Sequence, residues 1–233
     1  MMRYGLIGEK LGHSFSKIIH EKLADYTYDL IPLSLEELDV FMREKEFSAI
    51  NVTIPYKETV IPYLDKVDPK AAKMGAVNTV VQRNGKLFGY NTDYFGFRYM
   101  LEHNHIQIAG KKVLVLGRGG ASKAVIAVLE DMGAAEIHTI YYKIAEDSIS
   151  YETCYALHTD AQVIVNTTPV GMYPNSGHTP IDLTPFTKLE AVADAVYNPL
   201  RTRLVLDAEE KGCQAIGAVS YTHLRAHETS AHL

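Results

Sequence analysis

The apolar run Lys112-Val113-Leu114-Val115-Leu116 stops at Gly117. It passes through Gly117-Arg118-Gly119-Gly120-Ala121-Ser122-Lys123-Ala124 into the apolar stretch Val125 to Met132. This order of strand, glycine turn and helix constrains the fold of the 233-residue chain more than any other feature. It is the opening unit of an open, mostly parallel α/β sheet that holds a dinucleotide. Glycines let the backbone approach a pyrophosphate, and the helix N-terminus attracts it through unpaired N–H groups and the positive end of its dipole. Gly117, Gly119, Gly120 and Ala121 are therefore cofactor-binding candidates.

The next strand, Glu136 to Ile140, carries at its end the residue that separates the two nicotinamide dinucleotides. An acid there hydrogen-bonds the ribose 2′-OH of NAD, whereas a cation pairs with the 2′-phosphate of NADP. Tyr141-Tyr142-Lys143 offers no acid and one cation. NADP is the expected cofactor, with Lys143 either on its phosphate or a solvated turn residue. Two later strands end in polar turns, Val163 to Met172 and Ala191 to Val196 followed by Tyr197-Asn198-Pro199. Ligands of an open α/β sheet lie beyond the carboxyl ends of its strands, so both turns face the cofactor, with Thr168 and Ala195 as contacts.

The N-terminal part also alternates strands and helices, which predicts α/β architecture throughout. Tyr4 to Ile7, Tyr28 to Leu33 and Ala49 to Ile54 read as strands. Ser16 to Tyr26 reads as a helix with Ile18, Ile19 and Leu23 on one face. Ser34 and Glu37 have capping-box spacing, and Asp68-Pro69 places an acceptor at a helix cap with proline at its first position. Asn84-Gly85 between Val77 to Gln82 and Leu87 to Tyr90 is a two-residue hairpin signal, so this sheet mixes parallel and antiparallel pairing. A helix from Tyr94 to Glu102 leads onward. The expected organisation is an N-terminal α/β substrate-binding catalytic domain, residues 1–99, and a Rossmann-like dinucleotide-binding domain, residues 100–217.

Within the first domain, Asn51-Val52-Thr53-Ile54-Pro55-Tyr56-Lys57 sets a lysine after a β-branched strand and a proline that can open a helix. Three other segments, Gly12 to Ser16, Gly75 to Thr79 and Asn91-Thr92-Asp93, end apolar runs with hydroxyl, amide or carboxylate side chains. Together they can converge on one polyhydroxylated ligand. Each residue also has a plainer use: Ser14 and Ser16 as helix caps, Asp93 as the cap of the helix from Tyr94, Asn78 as a partner for backbone groups between strands.

A formal net charge of -5 offers no basic field for a phosphate backbone, so no nucleic-acid partner is expected. Cys154 and Cys213 lack C-x-x-C spacing, which argues against a disulfide framework or structural zinc and fits a reducing cytoplasm. No stretch approaches membrane-spanning length, and the N-terminus lacks the form of a secretion signal.

Six separated motifs occur in one order, G-H-S-F-S at 12–16, N-V-T-I-P-Y-K at 51–57, G-A-V-N-T at 75–79, N-T-D at 91–93, G-R-G-G-A-S at 117–122 and N-T-T-P-V-G-M at 166–172, with D-A-V-Y-N-P at 194–199 after them. This set resembles the shikimate dehydrogenase family over residues 4 to about 217. The resemblance implies reversible NADP-dependent reduction of 3-dehydroshikimate to shikimate, in the pathway to chorismate and the aromatic amino acids. It further implies that Ser14 and Ser16 hold the substrate carboxylate, that Thr53, Asn78 and Tyr197 bond its hydroxyls and carboxylate, and that Lys57 and Asp93 flank the reacting oxygen. A small-molecule substrate and a monomer or homodimer are expected. An NAD-preferring quinate/shikimate dehydrogenase and a non-catalytic ligand binder on the same scaffold are the alternatives.

Departures from the family pattern are Lys17 in place of a proline, Tyr141-Tyr142 where an arginine usually stands, and the segment from Ala218 to Leu233. That segment lacks the family's glutamine and its apolar terminal helix, and reads as a foreign tail. His223 and His227 within it have i, i+4 spacing, but His232 falls one residue too late for H-E-x-x-H, so no metal is expected.

Overall fold

A computed structural model describes residues 3–217, except His13, Phe15, Ala24 and Ile144. The tail from Ala218, with His223 and His227, lies outside the described residues. The chain divides into two compact units between Phe95 and Gly96.

In the first unit, β1 (Tyr4–Gly8), α1 (Ser16–Leu23), β2 (Tyr28–Pro32), α2 (Leu35–Glu44) and β3 (Ala49–Val52) form a parallel core. A 3-10 turn (Ile61–Tyr63), β4 (Lys66–Val67), α3 (Pro69–Met74), β5 (Thr79–Arg83) and β6 (Lys86–Tyr90) follow, and α4 (Thr92–His103) carries the chain from the first unit into the second. The strand order is β2-β1-β3-β5-β6-β4, with β5 antiparallel to both β3 and β6. Local chemistry sets the boundaries. Ser34 and Glu37 close a full capping box at α2, and Asp68 accepts from the N–H groups of Lys70 and Ala71 ahead of Pro69. Asn84 and Gly85 both take positive φ, 52° and 75°, as a tight hairpin demands. Ile7, Leu38, Ile50, Val52, Val80 and Leu87 fill the core beneath.

The structure corrects four expectations here. The helix from Ser16 ends at Leu23, and the expected apolar face is not its buried one: Ile18 and Leu23 are exposed while His20 is buried. Its ring stacks on Tyr28 at 4.1 Å, and its Nδ1 lies 2.6 Å from the Tyr26 hydroxyl, so a flat polar ring fits where an aliphatic branch would leave that hydroxyl without its partner. The third strand stops at Val52. Residues 54–60 form successive turns, with Tyr56 N–H bonded to Thr53 O and Val60 N–H to Tyr56 O, so Pro55 opens no helix.

The second unit contains β7 (Lys112–Leu116), α5 (Gly120–Asp131), β8 (Glu136–Ile140), α6 (Tyr151–Leu157), β9 (Val163–Asn166), β10 (Ala191–Asp194), α7 (Arg203–Glu210) and β11 (Gln214–Gly217). Its sheet is parallel, in the order β11-β10-β9-β7-β8. The order reverses between β7 and β9, which opens a crevice at their carboxyl ends. Helix α5 begins at Gly120 rather than Val125, because Gly119 already serves as its N-cap. Helix α6 packs Tyr151, Cys154 and Tyr155, spaced i, i+3 and i+4, on the core, and Ser150 caps it by accepting from Thr153 N–H.

Candidate active site

Topology gathers the first unit's polar segments at one edge of its sheet. Thr53 follows the carboxyl end of β3, and Gly12 to Ser16 follow that of β1. Since β5 runs antiparallel to β3, Asn78 at its start comes beside the end of β3, where Asn51 pairs with Thr79. Strand β6 turns back again, Thr79 pairing with Tyr90, and delivers Asn91, Thr92 and Asp93 to the same edge.

There Lys57 Nζ lies 2.6 Å from Asp93 Oδ2, with 14% and 5% of the two side chains exposed. Helix α4 is what frees Asp93 for this contact. Asn91 Oδ1 accepts from the Asp93 N–H at 3.0 Å, so Asn91 does the capping and the expected cap, Asp93, turns its carboxylate to the lysine. The backbone carbonyl of Lys57 accepts from Val77 N–H, tying its loop to the residue before Asn78.

Asn78 is fully buried. Its Oδ1 accepts from Thr92 N–H at 2.8 Å, Thr92 Oγ1 at 3.2 Å and Thr79 Oγ1 at 3.1 Å. Thr79 in turn accepts from Asn51 Nδ2, and Asn51 Oδ1 accepts from the Tyr28 hydroxyl at 2.6 Å. In contrast, Asn78 Nδ2 is buried without a hydrogen-bond partner. A buried amide donor left this way costs about 1–3 kcal/mol.

The second unit's candidates sit at the crevice of its sheet. Gly117 takes φ 101°, and a Cβ there would lie 2.9 Å from Thr167 Oγ1 and 3.0 Å from Thr168 Cγ2. Thr167 Oγ1 holds Leu116 O at 2.6 Å, so the glycine turn and the turn after β9 are pressed together. Asn166 Oδ1 accepts from Thr168 N–H and Oγ1, while its Nδ2 donates to Asp194 Oδ1 at 2.9 Å. Asp194 also accepts from Val196 N–H and Thr202 Oγ1; burial pushes its carboxyl above the usual range against these bonds. Ala195 N–H bonds Asn166 O, placing it in the same rigid cluster. A pyrophosphate fits this cradle. Among the described residues nothing stands within 4 Å of where a Cβ on Gly119 would lie, and no side chain caps α5.

The family model for the shikimate dehydrogenase substrate binding domain matches residues 6–80. A protein of Clostridium beijerinckii called shikimate dehydrogenase (NADP(+)) is 37% identical over 93% of this chain and 86% of its own. The chain belongs to the shikimate dehydrogenase family. Among solved structures, a chorismate mutase/shikimate 5-dehydrogenase fusion protein from Clostridium acetobutylicum superposes with TM-score 0.90 at 37% identity, covering 99% of this chain and 89% of that one. Shikimate 5-dehydrogenase from Thermus thermophilus, in complex with NADP(H) and shikimate, gives TM-score 0.85 at 31% identity over 98% and 92%.

Set against this shikimate dehydrogenase pattern, the expected residues fall into groups. Lys57, Asp93 and Asn78 come together as described. Ser14 Oγ donates to Ser16 Oγ at 3.1 Å and accepts from Ser16 N–H, so the two hydroxyls form a pair and also serve the start of α1. Thr53 is half-buried, its N–H bonded to Ile7 O at the end of β1. Tyr197, 37% exposed, belongs to the second unit, in the loop after β10. Lys143 is exposed, its ammonium 5.3 Å from the Tyr142 ring centroid.

Two features were not legible beforehand. One is the buried relay from Tyr28 to Asn78, whose members stand on separate strands. The other is Arg118, inside the glycine motif itself. Its Nε lies 2.5 Å from Asp147 Oδ1, both side chains are about half exposed, and this contact holds the Asp147 carboxyl below its usual range. Lys143 is therefore not the single cation near the end of β8. Only the position of Arg118, adjacent to Gly117, could have signalled this.

Proposed function

We propose that Lys57 and Asp93 are the proton-transfer pair of a dehydrogenase that interconverts 3-dehydroshikimate and shikimate with NADP. The family membership makes the protein an oxidoreductase; the observation that carries the residue assignment is the 2.6 Å pair, largely shielded from water, in the same segment cluster as an unpartnered buried amide. NADPH, when bound, supplies the hydride. Reduction builds negative charge on the ketone oxygen, and the Lys57 ammonium stabilises that charge and gives the oxygen its proton. Asp93 holds the ammonium in place through its 2.6 Å contact. In the oxidative direction Lys57 takes the hydroxyl proton back.

Asn78 Nδ2 donates to a substrate oxygen, the Ser14 and Ser16 pair binds the carboxylate, and Thr53 bonds a remaining oxygen. The glycine turn with Gly117, Gly119, Gly120 and Ala121 takes the pyrophosphate on the N-terminus of α5, flanked by Thr168 and Ala195. Arg118 and Lys143 receive the 2′-phosphate. On this reading residues 1–99 bind substrate and 100–217 bind NADP. The matched family model, a substrate binding domain, supports the first part. Free cysteines at 154 and 213 support a reducing cytoplasm as the setting, with the protein a monomer or homodimer. Among the described residues no helix is long and apolar enough to cross a membrane.

The test is spectrophotometric: shikimate and quinate oxidation followed with NADP and NAD, on the intact chain and on Lys57→Ala. Wild-type turnover with shikimate and NADP that collapses in the variant supports the assignment. Turnover unchanged in Lys57→Ala would sink it.

A further inference from the structure

Glu136, His138 and His158 place one carboxylate oxygen and one nitrogen from each ring within 4.8 Å of one another. The grouping follows from the fold. Glu136 and His138 are two apart on β8, hence on one face of the sheet, and β8 is its edge strand. His158 ends α6, its N–H bonded to Cys154 O, and its ring lies 4.0 Å from that of His138. Glu136 Oε2 is 3.1 Å from His138 Nε2. The buried Nδ1 of His158 has no hydrogen-bond partner. Dinucleotide chemistry uses none of these groups. Glu136 opens β8, whereas the glycine turn follows the opposite end of its parallel neighbour β7.

We infer that these three residues form a binding site for a divalent transition-metal ion of the zinc class. Two imidazoles and a carboxylate are a borderline-soft set with three protein ligands, which leaves a fourth position for water. Zinc bonds of about 2.0–2.1 Å in a tetrahedron set ligand atoms about 3.4 Å apart. Glu136 and His138 already stand near that spacing at 3.1 Å, and His158 brings its ligand atom within 4.8 Å of both. Lys112 is the opposing charge. Its Nζ is 3.3 Å from Glu136 Oε2 but 2.9 Å from Asp160 Oδ1, so it keeps Asp160 when Glu136 turns to the ion. A bound ion would tie the end of α6 to the sheet edge.

The experiment is calorimetric titration of the untagged, metal-free chain with Zn²⁺, alongside Co²⁺ titration read by its visible absorption. Because His223, His227 and His232 offer competing ligands, the same titrations are run on a variant with all three replaced by alanine. We expect one ion per chain with affinity retained in that variant, four-coordinate Co²⁺ bands, and weakening of about tenfold or more in His138→Ala and His158→Ala. Glu136→Gln, at an exposed position that folding tolerates, should weaken binding likewise if a histidine variant fails to fold. Absence of binding, or binding lost with the tail histidines and kept without His138 or Glu136, would overturn the site.

Discussion

Lys57 Nζ and Asp93 Oδ2 are 2.6 Å apart on segments separated by 36 residues, and together they form an ion pair that solvent barely reaches. Water screening is weak at such a place, so the pair's charges act strongly on a neighbouring oxygen. Lys57→Ala should lower kcat on the order of 10²- to 10⁴-fold with a smaller change in KM for shikimate. Asp93→Asn should also lower kcat, since the ammonium loses its orienting charge. Steady-state kinetics of both variants check this; a KM effect alone would assign Lys57 to binding.

Asn78 offers a separate test. Asn78→Asp keeps the acceptor that Thr92 and Thr79 use but removes the unpartnered donor. KM for shikimate should rise about tenfold or more while the protein stays folded by circular dichroism. Asn78→Ala should in addition destabilise by about 1–3 kcal/mol, because the Thr92 N–H loses its partner. Unchanged KM in both variants would remove Asn78 from the substrate site.

On the proposed function, cofactor choice turns on Arg118 and Lys143. Arg118→Ala should raise KM for NADP about tenfold or more and leave NAD little changed, since a guanidinium binds a phosphate dianion far better than a hydroxyl. Lys143→Ala should act in the same direction. Asp147→Ala should lower KM for NADP modestly, by about two- to fivefold, because the exposed carboxylate no longer competes for Arg118. Equal effects on both cofactors would place the 2′-phosphate elsewhere.

Gly117→Ala should damage both stability and cofactor binding. At φ 101° any side chain is strained, and the added methyl meets Thr167 and Thr168. A loss of about 1–3 kcal/mol in thermal unfolding is expected, with KM raised for NADP and NAD alike. A variant as stable as wild type would show that the turn relaxes.

Cys154 should be inert in the native protein. Burial pushes its thiol up to about 11, so the reactive thiolate is on the order of 10⁻³ of the total at pH 8. Iodoacetamide should label Cys154 only after denaturation, as mass spectrometry would show; rapid native labelling would contradict its burial.

Much of the fold was legible because its signals are local. The capping box at Ser34, the Asp68-Pro69 cap, the Asn84-Gly85 hairpin and the glycine turn each depend on neighbours a few residues apart. What escaped depends on partners far along the chain. His20 is buried because Tyr28 lies beneath it, Tyr151, Cys154 and Tyr155 of α6 pack on a core that later residues such as Phe186 and Leu189 supply, and Arg118 gains its meaning from a carboxylate 29 residues away. The Lys57–Asp93 pair was within reach only because family order supplied the distant partner that spacing could not.

The relay running from Tyr28 to Asn78 has a direction. The Thr92 backbone nitrogen can only donate, so Asn78 must face it with oxygen; the Asn78 carbonyl can only accept, so Asn51 turns its nitrogen that way, at 3.4 Å, and the Tyr28 hydroxyl is left to donate. No amide in the series can rotate without reversing its neighbours. On the proposed function, a substrate oxygen that reaches Asn78 meets a donor whose orientation the protein has already fixed, so selectivity at this point is set by the relay rather than by an adjustment to the guest.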